Sequence, residues 1–193
     1  AHRIKTDSLK ATLSTDTKLG LIQIQGYHND LDALTPGRRY LNGITVVSVE
    51  DLFKIGAAHT VRVGLEYRDN QLDTASYSGA KISYKVLAPS VMWNWAVNPK
   101  LSLTAAARLD NLSLERTGSF PAGVPQTSNA LWDRDIKETS VNLGAVFKAT
   151  DADTLRATYA RGVQAPTLLV HGTVDTDVPL PTGSPLSRRK TGM

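Results

Sequence analysis

Between Ser140 and Arg161 apolar side chains recur at every second position. Val141, Leu143, Ala145 and Phe147 share one side of the segment, while Ser140, Asn142, Gly144 and Lys148 share the other, with Val146 as the exception. A period of two is the signature of a strand whose faces meet different surroundings. After the polar turn Asp151-Ala152-Asp153 the alternation resumes, with Leu155, Ala157 and Tyr159 set against Thr154, Arg156, Thr158 and Ala160. This predicts a hairpin. One face is built from Val, Leu, Ala and aromatics and the other carries long cations such as Lys148 and Arg156. The pattern calls for hydrocarbon on one side and water on the other.

The same period recurs along the chain. Strands are predicted over Ser8 to Ser14, Leu19 to His28, Ile44 to Phe53, Thr60 to Arg68, Lys81 to Val97 and Leu101 to Asp110. In Thr60 to Arg68 the alternation is cleanest: Val61, Val63, Leu65 and Tyr67 oppose Arg62, Gly64, Glu66 and Arg68. Pro89, which cannot donate to a ladder, is expected at a bulge or edge. Polar stretches from Asn29 to Asn42, Asp69 to Gly79 and Asn111 to Asp135 are expected to be long loops, and the remaining connections short turns. Eight strands joined alternately by short and long connections predict an all-β fold, an antiparallel up-and-down transmembrane β-barrel or a segment of one, because such barrels keep short turns at one end and long loops at the other. Phe53, Trp93, Trp95 and Phe147 near the short turns, and Tyr27, Tyr67 and Tyr159 near the long loops, fit two interfacial girdles.

Composition leaves this reading open. The chain has 193 residues, 41% hydrophobic, with a mean hydropathy of -0.21. No apolar run approaches the ~18 residues of a spanning helix, but a spanning strand exposes only alternate residues to lipid and escapes that test. There is no cysteine, so no disulfide framework and no thiolate chemistry. The net charge of +4 and the pI near 9.4 come from cations spread along the chain, without a basic patch interleaved with aromatics, so no nucleic-acid partner is expected. His2, His28, His59 and His171 lack metal-ligand spacing. Asp151 and Asp153 lack the glycine and glutamate of a calcium loop. No phosphate-binding or dinucleotide fingerprint is present. Neither a cofactor nor a metal is expected.

Val49 to Asn70 (VEDLFKIGAAHTVRVGLEYRDN), Leu101 to Asn111 (LSLTAAARLDN) and above all Leu155 to Leu168 (LRATYARGVQAPTL) resemble the mid-barrel of TonB-dependent outer-membrane receptors. In the last piece Arg161, Gly162, Ala165 and Pro166 carry the distinctive motif. The resemblance implies residence in the outer membrane among lipid, a small-molecule ligand such as a ferric siderophore, and import driven through the TonB complex. Such barrels have roughly 22 strands around a plug. Eight strands without a recognisable plug are therefore expected to be part of a receptor rather than a transporter in their own right. A small structural or adhesive eight-stranded barrel, its charges filling a narrow interior, remains an alternative. The barrel segment is expected over residues 1–168, followed by an irregular tail, 169–193.

The tail carries a second resemblance. Pro166 to Leu180 (PTLLVHGTVDTDVPL) is similar to the catalytic-acid loop of α/β-hydrolases of the prolyl-oligopeptidase type, which would make Asp175 the acid of a triad. No G-x-S-x-G turn precedes it and no histidine follows it, so no enzyme is expected, and a non-functional hydrolase remnant is the further alternative. The candidate binding residues are those on the charged faces of the strands: Arg62, Glu66, Arg68, Arg108, Asp110, Asn142, Lys148 and Arg156. They are expected to face the barrel interior, where a surplus of cations would favour an anionic solute.

Overall fold

The computed structural model describes residues 2–74, 79–120 and 128–162. They form β1 (Arg3–Asp16), β2 (Leu21–Thr35), β3 (Arg38–Ile55), β4 (His59–Asp73), β5 (Ala80–Asn98), β6 (Leu101–Gly118), β7 (Arg134–Lys148) and β8 (Thr154–Arg161). All eight lie in one sheet, ordered as in the chain, each antiparallel to the next. This is the up-and-down arrangement that the alternation predicts. β1 and β8 are the two edges and are exposed throughout. The small closed barrel would require those strands to pair, whereas in the described sheet they lie at opposite ends.

The register fixes the faces. Val61, Val63, Leu65 and Tyr67 of β4 align with Phe53, Asp51, Val49 and Val47 of β3 and with Trp93, Val91, Pro89 and Leu87 of β5. The same face continues through Leu103, Ala105 and Ala107 of β6 to Ala145, Leu143 and Val141 of β7. It exposes Val63, Leu65, Leu87, Val91, Trp93 and Leu143. Val146, the exception to the pattern, lies on the opposite face beside Arg156.

The strands run well past this apolar band, and there the alternation changes phase. In β5 the outward side chains beyond Leu87 are Lys85, Ser83 and Lys81, while Val86, Ile82 and Ala80 turn inward and are buried. In β6 Leu114 is likewise buried, and in β4 Leu72. Leu72, Ala80 and Ile82 form a small core with Tyr40 and Tyr84 packed against it. Above the band the outer face meets water and the inner face packs, the reverse of the arrangement below.

This inversion corrects the loop assignments. Asn29 to Asn42 is almost entirely strand: β2 and β3 are joined by Pro36 and Gly37 alone. Pro36 presets the first turn position and Gly37, at φ 76°, takes the left-handed conformation at the second. Much of Asp69 to Gly79 and of Asn111 to Asp135 is also strand, so the strict short-long rhythm does not hold, although the connection from β6 to β7 remains long and contains a 3₁₀ turn, Asn129–Leu131. Pro89 is neither edge nor bulge. β5 is flanked by β4 and β6, and its register with β6 is the same at Leu87↔Asn111 and at Ser90↔Arg108; the shift comes later, at Ala96/Asn98. The Asn111 side chain donates to the Leu87 carbonyl beside this gap (3.3 Å). Tyr27 belongs to no outward girdle, because it pairs with Val46 on the inner face. The 168/169 boundary and the hydrolase-like stretch Pro166 to Leu180 lie outside the described residues.

The short turns are closed by side chains. Asn98 Oδ1 accepts from the Lys100 and Leu101 amides (both 2.9 Å), and the Thr150 hydroxyl accepts from the Ala152 and Asp153 amides (3.2 and 2.9 Å). These are the local bonds that make Asn, Asp and Thr frequent in turns.

Gly64 points away from the apolar face, but its site is tight: a Cβ there would lie 2.9 Å from Ser90 Oγ. At Gly144, on the same inner face, the nearest atom would be Thr104 Cβ at 3.6 Å, an ordinary contact. Val63→Arg is expected to lower stability in a bilayer by about 2–4 kcal/mol if Val63 sits near the midplane, whereas Gly144→Ser leaves it nearly unchanged. Comparing the folded fraction of both variants in lipid vesicles over a urea series checks this; equal losses would contradict the facing assignment.

Candidate functional site

The even-numbered residues of β4 to β8 make up the polar face, and all eight candidate residues lie on it. The register aligns Arg62 with Met92, Ala106 and Asn142, and Arg108 with Ser90 and Ser140. What it does not do is gather all eight. Lys148 lies eight residues along β7 from Ser140, about 27 Å at ~3.4 Å per residue, next to the turn that leads into β8. Arg156 lies opposite Val146, near that same turn. Both are exposed, and neither forms an ion pair among the described residues.

The central group is a connected network. Glu66 Oε1 accepts from Arg68 Nη2 (3.0 Å) and from Arg108 Nη2 (3.1 Å), and Arg108 Nε donates to Asp110 Oδ1 (2.9 Å). Glu66 thus bridges β4 to β6 across β5, where small Ala88 and Ser90 leave room for the guanidinium. Two cations meet two anions here and the group is neutral. Arg62 adds a looser pair with Glu50 at 3.8 Å. The surplus of cations expected on this face is therefore absent from the network and resides in outlying residues such as Lys148 and Arg156.

Two adjoining clefts open on this face. The first, about 210 Å³, is lined by Gln23, Gln25, Ser48, Ser90, Glu66 and Arg108 among others. The second, about 410 Å³, includes Arg62, Arg108, Asn142 and Gly162, and shares Glu50, Ser90 and Arg108 with the first. Arg108 belongs to both. With Nε on Asp110 and Nη2 on Glu66, its Nη1 group retains donors for a solute. Hydroxyls, amides, the carboxylates of Glu50 and Glu66 and one partly satisfied guanidinium suit a polar solute held by many hydrogen bonds. Among the described residues, no group of His, Asp and Glu is placed to hold a metal ion.

Glu50, Ser48, Gln23 and Gln25 were not among the expected site residues. Their signal was present, since Ser48 and Glu50 alternate with Val47 and Val49, and Gln23 and Gln25 with Ile22 and Ile24. Of the motif residues, Arg161 pairs with Val141 and so lies on the apolar face, while Gly162 follows the end of β8. Ala165 and Pro166 lie outside the described residues. On the apolar face near the short turns, Trp93 Nε1 donates to His59 Nδ1 (3.1 Å), their ring centroids lie 5.6 Å apart, and each stacks with Trp95 at 5.7 Å. Such amphipathic rings suit a membrane interface.

The Glu66 side chain retains 20% exposure and that of Arg108 34%, so solvent screens their attraction. A double-mutant cycle of Glu66→Gln and Arg108→Gln is expected to give a coupling of about 1 kcal/mol. Lys148→Gln, which removes no ion pair, is expected to change stability by less than about 0.5 kcal/mol. Unfolding of the four cycle members and of Lys148→Gln in vesicles measures both; zero coupling would show that the bridge does not contribute to stability.

Comparison with known proteins supplies the family. A search of curated proteins finds no match. Among solved structures, the chain is similar to the ferric-catecholate import receptor Fiu from E. coli K12 in its open form, with a TM-score of 0.61 and 15% identity over 84% of this chain and 36% of that one. It is also similar to the alcaligin outer membrane receptor FauA from Bordetella pertussis, with a TM-score of 0.57 and 14% identity over 81% of this chain and 28% of that one. The chain thus spans about a third of the length of these receptors. At this identity the likeness establishes the fold: the open sheet matches part of a larger barrel wall. The family model for the TonB-dependent receptor-like β-barrel matches residues 4–171, nearly the whole described sheet, and the chain therefore belongs to the TonB-dependent receptor β-barrel family of the outer membrane.

Proposed function

We propose that this chain forms part of the wall of an outer-membrane receptor that takes up a scarce anionic ligand, a ferric siderophore, with energy relayed by TonB. The observation that carries the reading is the pair of clefts on the face opposite the apolar band, joined at Arg108. A ferric ion held by catecholate oxygens has a net negative charge and a rim of acceptor atoms, which is what guanidinium and amide donors suit. The two similar solved structures, a ferric-catecholate import receptor and the alcaligin receptor, support the same class of cargo.

The network limits how charge contributes. Because Glu66 and Asp110 neutralise Arg68 and Arg108, the centre of the wall attracts an anion weakly from a distance and acts mainly by short-range hydrogen bonds. Lys148 and Arg156, exposed near the short turns and without an ion pair among the described residues, supply the longer-range field. Arg108 and Arg156 therefore have separable roles, and salt separates them, since screening weakens the field of an exposed charge more than a direct hydrogen bond.

The reading is tested in the receptor that carries this segment by measuring uptake of an anionic ferric siderophore and of a neutral ligand, at low and moderate salt. Arg108→Gln is expected to reduce anionic uptake about three- to tenfold at both salt concentrations, the equivalent of roughly 1 kcal/mol. Arg156→Gln is expected to reduce it at low salt only. Neutral uptake is unchanged in both. Anionic uptake that is unaffected by either substitution at both ionic strengths would sink the proposal.

A further inference from the structure

Among the described residues the buried polar side chains are Thr74 and Arg116, and both lie at the same end of the sheet. The register sets them on either side of β5: Ile82 is opposite Leu72 of β4 and Arg116 of β6, and Ala80, where β5 begins, is opposite Gly118. Thr74 fastens the root of the connection from β4 to β5, where its amide (2.9 Å) and its hydroxyl (3.1 Å) both donate to the Ala80 carbonyl. Arg116 fastens the root of the connection from β6 to β7. Its Nη1 donates to Asn129 Oδ1, its Nη2 to the Ser119 carbonyl (3.1 Å) and its amide to Asp133 Oδ1 (3.2 Å), while its guanidinium lies 3.8 Å from the centroid of the Phe120 ring.

The two roots meet. Gly79 (φ 70°) and Gly118 (φ 97°) both have positive φ. A Cβ on Gly118 would overlap the Gly79 carbonyl oxygen, and one on Gly79 would overlap Ser119 Oγ, so the backbones approach at a distance that only glycine allows. Asn129 completes the linkage: the carboxamide that accepts from Arg116 also donates through Nδ2 to the Gly118 carbonyl (3.0 Å). Thr74, Ala80, Gly118, Asn129 and Arg116 thus connect one root to the other without a break. Arg116 makes partial release costly, because a guanidinium buried beside Ile82 has no water to replace a lost partner. Packed groups that cannot leave singly form a two-state element, which is what physical coupling between distant segments requires.

We propose that the roots of the β4–β5 and β6–β7 connections are one conformational unit, fastened by Arg116 and Asn129 across the Gly79/Gly118 contact, and that they unfasten together. The long connection from β6 to β7 marks this end as the outer one. The unit lies eight residues up β6 from Arg108, about 27 Å at ~3.4 Å per residue, at the outer rim of the same face. Coupling of this kind is reciprocal, so whatever binds to either connection stabilises both. The inference concerns the wall itself and does not depend on the nature of the cargo.

The experiment uses the receptor carrying this chain, reconstituted without ligand in lipid vesicles, and reads local opening by amide hydrogen exchange. Asn129→Ala removes both bonds of the carboxamide on one connection, and Thr74→Val removes the hydroxyl donor on the other while keeping the side chain's shape. The reporters are the residue 74 amide for β4–β5, and for β6–β7 the Leu131 and Trp132 amides, which donate to the Ser128 and Asn129 carbonyls (3.2 and 2.8 Å). Each substitution is expected to raise exchange about fivefold at both sets of reporters, the equivalent of roughly 1 kcal/mol. The Lys100 and Leu101 amides, held by Asn98 in a short turn at the opposite end, are expected to be unchanged. Arg116→Gln is expected to give a larger rise at both connections; should it fail to fold, the two milder variants decide. A rise confined to the connection that carries the substitution would overturn the proposal, because the roots would then open independently. So would no rise at either connection, or a rise that extends to the Lys100 and Leu101 amides, which would mean general destabilisation of the wall.

Discussion

The ladder of backbone hydrogen bonds is the constraint on which the rest of this wall depends. In hydrocarbon, a peptide N–H or C=O without a partner costs several kcal/mol, and only a helix or a laterally paired sheet removes that cost. Neighbouring strands here keep a constant register over nearly their whole length, and the one shift among the described residues, at Ala96/Asn98, falls beside a turn. Even at Pro89, where a donor is missing, the Asn111 carboxamide reaches the neighbouring Leu87 carbonyl. The same constraint applies to β1 and β8. Their outer backbone groups require partner strands within a bilayer, so the open sheet is stable there as a portion of a larger wall.

Once the ladder is set, a fixed register means that side chains have only two directions to point, and the surroundings decide which residues are tolerated. Below the level of Tyr67 the outer direction is hydrocarbon and the inner one is aqueous. Above it the outer direction is aqueous and the inner one is a packed cluster of Leu72, Ala80 and Ile82 with Tyr40 and Tyr84. A single strand such as β5 therefore satisfies opposite rules at its two ends. Trp93 and Val91 face out, and nine residues further back Ile82 faces in, with no break in the pairing.

That inversion explains what could be read from the sequence. Where lipid lies on one side, alternation is strong, and Val61 to Tyr67 or Leu101 to Leu109 announce both the strand and its facing. All eight candidate residues fell on the polar face for that reason. Where the phase changes, the period is interrupted, and a stretch such as Asp69 to Asp73 or Asn111 to Gly118 looks like loop although its ladder continues. Asn29 to Thr35 was lost for the same reason, with Asp30 and Asp32 on the outer face at polar depth. Which charges pair could not be read at all. Glu66 and Arg108 are 42 positions apart and meet only because β5 between them presents Ala88 and Ser90.

The position of the network follows from the inversion as well. Arg68 aligns with buried Val86, at the lower boundary of the inward-packed region, and Glu66, Arg108 and Asp110 lie around the same level. Higher up, a guanidinium would lose water on every side and need a full set of partners; lower down, it would be solvated and have little reason to order. At the boundary each cation keeps about a third of its side chain exposed while its partners hold its geometry. Arginine suits that position because it can spend Nε and one Nη on carboxylates and still present the other Nη to a solute. The clefts joined at Arg108 are consequently not separate from the fold. They occur where the inner face changes from packed to wet, and the pairing that stabilises the wall at that level is also what orients the donors a ligand would meet.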